Sequence, residues 1–198
     1  MRVTEIPLPS FPGDDPLGQF EAVEDLNRTR YEIGLAGRST LRTAREISAS
    51  YSRRVIFTRH YYLLSNPADR NFDAPIAMIG PGHPAKILGY GYLRMAQQQK
   101  ERSEAWIDVV VHPESWGREY GRLLLDEVTR QAKSKGAKRL TCRVYKPFDG
   151  GTLSPDDLLK SPAASFLTDN GFVMTNVYED YAWDVTDHEE LQERLVPL

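Results

Sequence analysis

Two carboxylates stand in the most apolar run of the chain. In Glu104-Ala105-Trp106-Ile107-Asp108-Val109-Val110-Val111, Glu104 opens the run and Asp108 interrupts it. A carboxylate among apolar neighbours holds its proton more tightly and suits general acid–base work. The same residue is equally suited to pairing with one of the chain's many arginines. Next come His112-Pro113-Glu114-Ser115-Trp116-Gly117-Arg118-Glu119-Tyr120-Gly121-Arg122. This is a glycine-bearing loop leading into an amphipathic pattern. The unpaired N–H groups and positive dipole end of such a helix start favour an anion such as a phosphate. Arg118 and Arg122 would add positive charge. Glu119 suits the helix dipole but would repel a phosphate that it faced. Proton donors are available among the ten tyrosines, with Tyr145, Tyr178 and Tyr181 as candidates. His60, His83, His112 and His188 are scattered without metal-ligand spacing, so no metal site is expected.

The elements that position these residues are legible. Trp106 to Val111 has the β-branched and aromatic composition of a strand. Asp108 shares parity with Val110 and not with Val109 or Val111. Pro113 cannot continue the strand's ladder. From about Gly117 the period changes. Leu124, Val128 and Ala132 recur every four residues with Leu125 beside them, while Arg122, Asp126, Glu127, Arg130 and Lys133 take the other face. That is an amphipathic helix, with an Asp126–Arg130 pair in the favourable orientation and Gly136 placed at C′.

Composition sets the class. The chain has 198 residues, 40% hydrophobic and 27% charged, enough for one soluble domain with extensions. Its net charge of −3, with both signs mixed, gives no nucleic-acid footprint. Cys142 is the only cysteine, which excludes an intrachain disulfide and fits a reducing cytoplasm. No apolar run is long enough to span a membrane, and the first residues carry no signal-peptide pattern.

Before the central unit, Val3 to Ile6 reads as a strand, and Asp15-Pro16 as the N-cap and first position of a helix carried by Leu17, Phe20, Val23 and Leu26. Ser39 or Thr40 is placed to cap a second helix through Leu41, Ala44, Ile47 and Tyr51. A strand is expected within 54–64, a short one within 74–79, and one over Ile87 to Met95 broken by Gly89 and Gly91. After Gly136, Leu140, Cys142 and Val144 alternate with Arg139, Thr141, Arg143 and Tyr145. This strand should lie parallel to the central one by a right-handed crossover. Ser161-Pro162 opens a late helix stopped by Gly171. Phe172 to Val177 and Tyr181 to Val185 read as a hairpin, and Thr186 with Glu189 as a capping box for a short helix over 187–195.

The strand, the loop and the helix together resemble the Gcn5-related N-acetyltransferase (GNAT) family. Its signature joins a strand to Arg/Gln-x-x-Gly-x-Gly/Ala at a helix start. The motif falls on Trp116-Gly117-Arg118-Glu119-Tyr120-Gly121, where Trp116 replaces Arg or Gln, Glu119 replaces Gly, and Gly121 matches. Ala163 to Phe172 is similar to the family's late helix and Gly-Phe pair. The resemblance is strongest over 104–145 and 161–173. The whole looks like the N-terminal half of actinobacterial tandem acetyltransferases, the class that includes mycothiol synthase. The 198 residues then read as either a single-domain relative or one piece of a tandem protein.

The resemblance implies an α/β acyl-CoA N-acyltransferase fold, with a mixed, mostly antiparallel sheet flanked by helices. It would form one domain over 1–198, with a core of about 54–185, an N-terminal strand and two helices in 1–53, and the short helix 187–195. It implies acetyl-coenzyme A as cosubstrate and an amine as acceptor, with neither nucleic acid nor membrane as partner and a homodimer left open. Backbone groups of Val109, Val110 and Val111 would hold pantetheine. The loop and first turn, Trp116, Gly117, Arg118, Glu119, Tyr120, Gly121 and Arg122, would hold the pyrophosphate. The acceptor is expected over residues 10–40 and 146–155. Asp108 and Glu104 are the base candidates. For the acid, Leu167 stands where many members carry Tyr, and Lys160 where Asn is frequent, so Tyr145 and Tyr178 become candidates. These departures leave a second reading open: a degenerate, non-catalytic domain that binds coenzyme A weakly or serves as one half of an interacting pair.

Overall fold

The structure is a computed structural model that describes residues 1–34, 41–53, 56–66, 74–80, 82–97, 104–145, 157 and 159–176. Packing divides the chain into two compact units, Met1–Gly150 and Gly151–Leu198. None of the described helices is long and apolar enough to cross a membrane.

The first unit is a six-stranded sheet with helices on both faces. Strands β1 (Arg2–Glu5), β2 (Phe57–Asn66), β4 (Pro84–Ala96), β5 (Glu104–Val111) and β6 (Arg139–Thr141) lie in that order, and β3 (Ile76–Met78) pairs with β4. All pairs are antiparallel except β5 with β6. This is the mixed, mostly antiparallel sheet expected from the sequence.

Helices α1 (Gln19–Glu32) and α2 (Ala44–Ser52) cover one face. Phe20, Val23, Leu26, Ile47 and Tyr51 pack there against Leu63, Ile87, Tyr90 and Val110. Helix α3 (Tyr120–Ser134) covers the other, where Tyr120 and Leu124 meet Leu64, Leu88, Val109 and Val111. The α3 C-terminus closes as a Schellman motif: Ala137 N–H donates to Ala132 C=O and Gly136 N–H to Lys133 C=O, with Gly136 at φ 95°.

Several local expectations are corrected. Helix α1 starts at Gln19, after Gly18 at φ 64°. Asp15 still caps it from an upstream turn, its two oxygens accepting from Gln19 and Glu21 N–H. The cap of α2 is Thr43, reciprocated by Glu46 in a capping box. The glycines do not break β4. A Cβ on Gly89 would run into Val110 O, and one on Gly91 into Val128 Cγ2. The glycines are where neighbouring backbone and α3 come closest. Strand β6 ends at Thr141 rather than Tyr145. On α3, Arg130 pairs with Glu127 at 2.6 Å and Asp126 reaches Arg122 at 4.0 Å, in place of the Asp126–Arg130 pair.

In the second unit the described element is α4 (Pro162–Asp169), capped by Ser161 Oγ accepting from Ala164 N–H and followed by Gly171 at φ 85°. Residues 172–176 carry no strand. The rest of the expected hairpin, Tyr178, Tyr181 and the helix over 187–195 lie outside the described residues.

Candidate functional site

The site is a fork between two parallel strands. β6 pairs with β5 only through Glu104↔Arg139, Ala105↔Leu140 and Trp106↔Thr141. Beyond Trp106 none of the described strands pairs with that edge of β5, while the opposite edge stays zipped to β4 as far as Gly89↔Val111. His112 N–H donates to Leu88 O. The alternation of an antiparallel ladder then turns Val110's amide and carbonyl toward β4, and those of Val109 and Val111 toward the open edge. Of the three valines expected to offer backbone groups, the geometry therefore presents two.

Two of the four groups on this edge are engaged by side chains. Val109 N–H donates to Asp108 Oδ1 at 3.0 Å, and Trp116 Nε1–H donates to Val111 O at 2.9 Å. Trp116, in the motif position usual for Arg or Gln, thus ties the loop to the strand's end while remaining 49% exposed. The Val109 carbonyl and the Val111 amide, adjacent along the strand, also face the open edge.

From Val111 the chain enters a 3₁₀ turn, Pro113–Ser115. Gly117 follows at φ 72°, a conformation that disfavours any side chain. Helix α3 then begins at Tyr120 with Glu119 as its N-cap residue. No side chain caps it and its first turn holds no acid. Glu119 is exposed and makes no capping hydrogen bond to the first turn, Tyr120, Gly121 and Arg122. Arg118 lies over the Tyr120 ring at 5.8 Å. A backbone edge leading into an uncapped helix start fits an extended ligand with an anionic end.

The side-chain candidates separate into groups. Asp108 lies on the α1 face, as its parity required. Its Oδ2 meets Arg30 Nη1 at 2.6 Å, with the two side chains 28% and 12% exposed. Burial disfavours the Arg30 charge, but Asp108 beside it outweighs this, and the guanidinium's pKa is raised. Arg30 also stands 5.8 Å from the Tyr145 ring centroid. Burial, with Asp108 adding to it, pushes the Cys142 thiol up to about 12, which makes it inert as a nucleophile. Tyr90, raised by burial and then by Asp108, donates to Asn27 Oδ1 at 2.6 Å. Asp108, Arg30, Tyr145 and Cys142 thus form one cluster at the mouth of the fork. Glu104 is elsewhere. It accepts from Thr141 Oγ1 at 2.7 Å at the closed end, about 13 Å along the strand from Asp108 at ordinary rise.

Sequence reading missed Arg30 and Asn27. The signal was present: Val23, Asn27 and Arg30 fall at helical spacing on one stripe, so two polar residues occupy an otherwise apolar face. Within the second unit, Lys160 pairs with Asp157 at 3.1 Å, and Leu167 lies on α4.

The chain matches the sequence profile of the Acetyltransferase (GNAT) family over residues 42–150, from the approach to α2 through the whole fork. It belongs to that family. The family moves an acetyl group from acetyl-coenzyme A to an amine, and the chain is a GNAT-type N-acetyltransferase. No curated protein matches it in sequence. Solved structures share its fold. A tetramutant of the BH1408 protein from Bacillus halodurans is 13% identical over 92% of this chain and 100% of its own, with a TM-score of 0.56. The aminoglycoside acetyltransferase meta-AAC0020 from an uncultured soil metagenomic sample, in complex with sisomicin, is 13% identical over 92% and 96%, with a TM-score of 0.54. The aminoglycoside acetyltransferase HMB0005, also from an uncultured soil metagenomic sample, is 14% identical over 92% and 98%, with a TM-score of 0.52. At these identities the likeness speaks to fold alone.

Proposed function

We propose that residues 1–198 form one acetyltransferase domain that binds acetyl-coenzyme A along the open edge of β5. The acetyl group then passes to an amine arriving on the Asp108 side. The observation that carries this is the end of β5–β6 pairing at Trp106, immediately before a strand edge that runs into an uncapped helix. The Val109 carbonyl and Val111 amide would pair with pantetheine, while Val110 holds the strand to β4. The first-turn amides of Tyr120, Gly121 and Arg122 would receive the pyrophosphate, framed by Trp116, Gly117 and Arg118. The amine nitrogen forms the new C–N bond as the thioester C–S bond breaks. The proton lost by nitrogen passes to solvent water, and one proton reaches sulfur. Tyr145 is the described residue best placed to supply the second. Asp108, held by Arg30 and Val109, orients the cluster and is not free to take the first, and Glu104 is too distant for that role. Kinship with tandem actinobacterial acetyltransferases belongs to the same proposal and rests on the likeness of the whole chain to their N-terminal half.

The test is thermal stability with ligand. Acetyl-coenzyme A at about 100 times Kd should add roughly 2.7 kcal/mol, a shift of several degrees in Tm for a domain of this size. No shift at millimolar coenzyme would sink the proposal. One observation favours a second reading, binding without transfer: both Asp108 oxygens are engaged. Thiol release with a panel of polyamines, aminoglycosides, amino acids and peptides decides between the two. Tyr145→Phe should lower kcat and leave coenzyme affinity unchanged if Tyr145 acts in the transition state.

A further inference from the structure

On the α1/α2 face, one row of the sheet carries positive charge with no acid among the described residues paired to it. Arg59 of β2 stands directly opposite Arg94 of β4, and Arg94 opposite Trp106 of β5. Gln97 N–H donates to Ile56 O, which places Arg59 and Arg94 in the closer, non-hydrogen-bonded class of cross-strand pair. Like charges directly opposite on adjacent strands destabilise a sheet. Yet among the described residues neither Arg59 nor Arg94 has a carboxylate partner. Arg59 Nη1 donates to the carbonyls of Ser50 and Arg53 at 3.2 Å. The Arg94 guanidinium lies between the rings of Phe57 and Trp106, at 4.8 and 4.9 Å, and its Nε is buried with no hydrogen-bond partner.

A groove of about 620 Å³ opens beside this row. It is lined by Arg42 and Arg53 of the α2 segment together with Arg59, and its lining holds one acid, Glu46. Glu46 Oε2 accepts from both the N–H and the hydroxyl of Thr43 in the α2 cap, and the Arg42 charge acts on the same carboxylate, so one acid faces three arginines. Asp108, on the adjacent row, is committed to Arg30. Three guanidinium groups, those of Arg42, Arg53 and Arg59, therefore line the recess, with Arg94 directly opposite Arg59 on the sheet, and among the described residues Glu46 is the one acid in the lining. Planar, aromatic-stacked arginines favour carboxylate and phosphate oxygens.

Building on the acetyl-transfer reading, we propose that the acceptor is a small amine bearing an anionic group, a carboxylate or a phosphate, bound by Arg42 and Arg59 of the groove together with Arg94 opposite Arg59. The placement fits. Tyr61, Tyr92 and Asp108 form the next row, and the open edge at Val109 lies three residues beyond Trp106, about 10 Å at ordinary strand rise. An amine about 7–10 Å from its own anionic group would span from the arginine row to the fork. Polycationic amines would be repelled by the same recess.

The test compares succinate, inorganic phosphate and chloride at matched ionic strength, by Tm, in wild type, Arg59→Gln and Arg94→Gln. Succinate or phosphate should raise the wild-type Tm above chloride, and the increment should disappear in both variants. Whichever of the two ions gives the larger increment identifies carboxylate or phosphate. No increment in wild type, or an equal one in the variants, overturns the inference. The acetyl-coenzyme A shift is recorded on the same three proteins. Its presence without an anion increment sinks only this inference, whereas its absence sinks the acetyl-transfer reading. Thiol release is then compared for 6-aminohexanoate, 4-aminobutyl phosphate, hexylamine and hexane-1,6-diamine. One of the anionic amines should exceed both others at least tenfold in kcat/KM, with the loss in Arg94→Gln falling mainly on KM. A preference for hexylamine or the diamine also overturns it.

Discussion

The two faces of the sheet meet their helices in different ways. On the α3 face, Gly89 and Gly91 let β5 backbone and the Leu124 and Val128 side chains come within van der Waals reach of β4. The contact is aliphatic and dry, with Leu124 and Val128 fully buried. On the α1/α2 face the packing is inlaid with polar pairs, Arg30 with Asp108 and Tyr90 with Asn27, and is edged by the arginine row. The first face fixes where β5 runs and where α3 starts, so it sets the backbone edge of the fork. The second supplies the side chains that face it. A close-packed aliphatic contact tolerates no added atom, whereas a polar inlay tolerates exchange of both partners together but not of one alone.

The largest effect should follow from filling the glycine contact. Gly89→Ala places a methyl against Val110 O, with Leu124 Cδ1 and Val111 Cα both at 3.1 Å. Backbone cannot yield as a side-chain tip can, so a loss of about 3 kcal/mol is expected, at the upper end for overpacking. Urea unfolding measures it. Because the displaced atoms belong to the fork, acetyl-coenzyme A affinity should fall in the same variant. A neutral Gly89→Ala would mean that the close contact does not set β5.

Next comes the ionic inlay. Arg30→Met removes one partner of a mostly buried pair and should cost about 2 kcal/mol, less than a fully buried pair because Asp108 keeps some solvent. Arg30→Met with Asp108→Leu should recover most of that loss. Failure of the double variant to recover would show that the cluster is kept for something other than mutual satisfaction, and would return Asp108 to the list of bases.

Titration gives the α1/α2 face a pH dependence of its own. Cys142 is pushed up to about 12, and Tyr61, Tyr90 and Tyr92 are raised, in every case first by burial. Folding holds these groups in their neutral forms. Their contribution is complete below the unfolded pKa values and is lost as pH climbs toward the folded ones. For Cys142 the loss begins near pH 8.5 and should reach about 1 kcal/mol by pH 9.5. Urea midpoints between pH 7 and 10 should show this decline, and Cys142→Ala should flatten the part below pH 10. An unchanged slope would mean that the thiol ionises as freely in the fold as out of it.

What the sequence made legible follows from how local each cause is. The Schellman end of α3 at Gly136, the Ser161 cap and the β-branched run of β5 are set by neighbours in sequence, and all three were readable. The Thr43–Glu46 box is equally local, although Ser39 and Thr40 offer competing cap residues just upstream. Gly89 and Gly91 look like punctuation within the chain; their role appears only when Val110 and Val128, remote in sequence, are brought beside them. The ending of β6 was likewise hidden, because Leu140, Cys142 and Val144 keep alternating past the point where β5 and β6 diverge. Asp108 was legible as an acid inside a strand. Its pairing with Arg30 depends on a contact across 78 positions.

The smallest effect is expected at Glu119, where the family pattern has glycine. As the N-cap residue of α3 it is exposed and makes no capping hydrogen bond. Replacing it by glycine removes no contact, and glycine is itself acceptable at that position, so stability should change by less than about 0.5 kcal/mol. Its charge still lies near the proposed pyrophosphate site. Across about 6 Å of water-like dielectric, one unit charge acts on another with roughly 0.7 kcal/mol. Glu119→Gly should therefore tighten acetyl-coenzyme A about threefold at low ionic strength, and the gain should shrink toward nothing in about 0.5 M salt. Isothermal titration at the two salt concentrations measures it. A gain that persists in high salt would have a steric origin, placing the Glu119 side chain in the ligand's path. No gain at either concentration would leave the first turn usable with the acid in place, and the α3 face as a scaffold indifferent to charge.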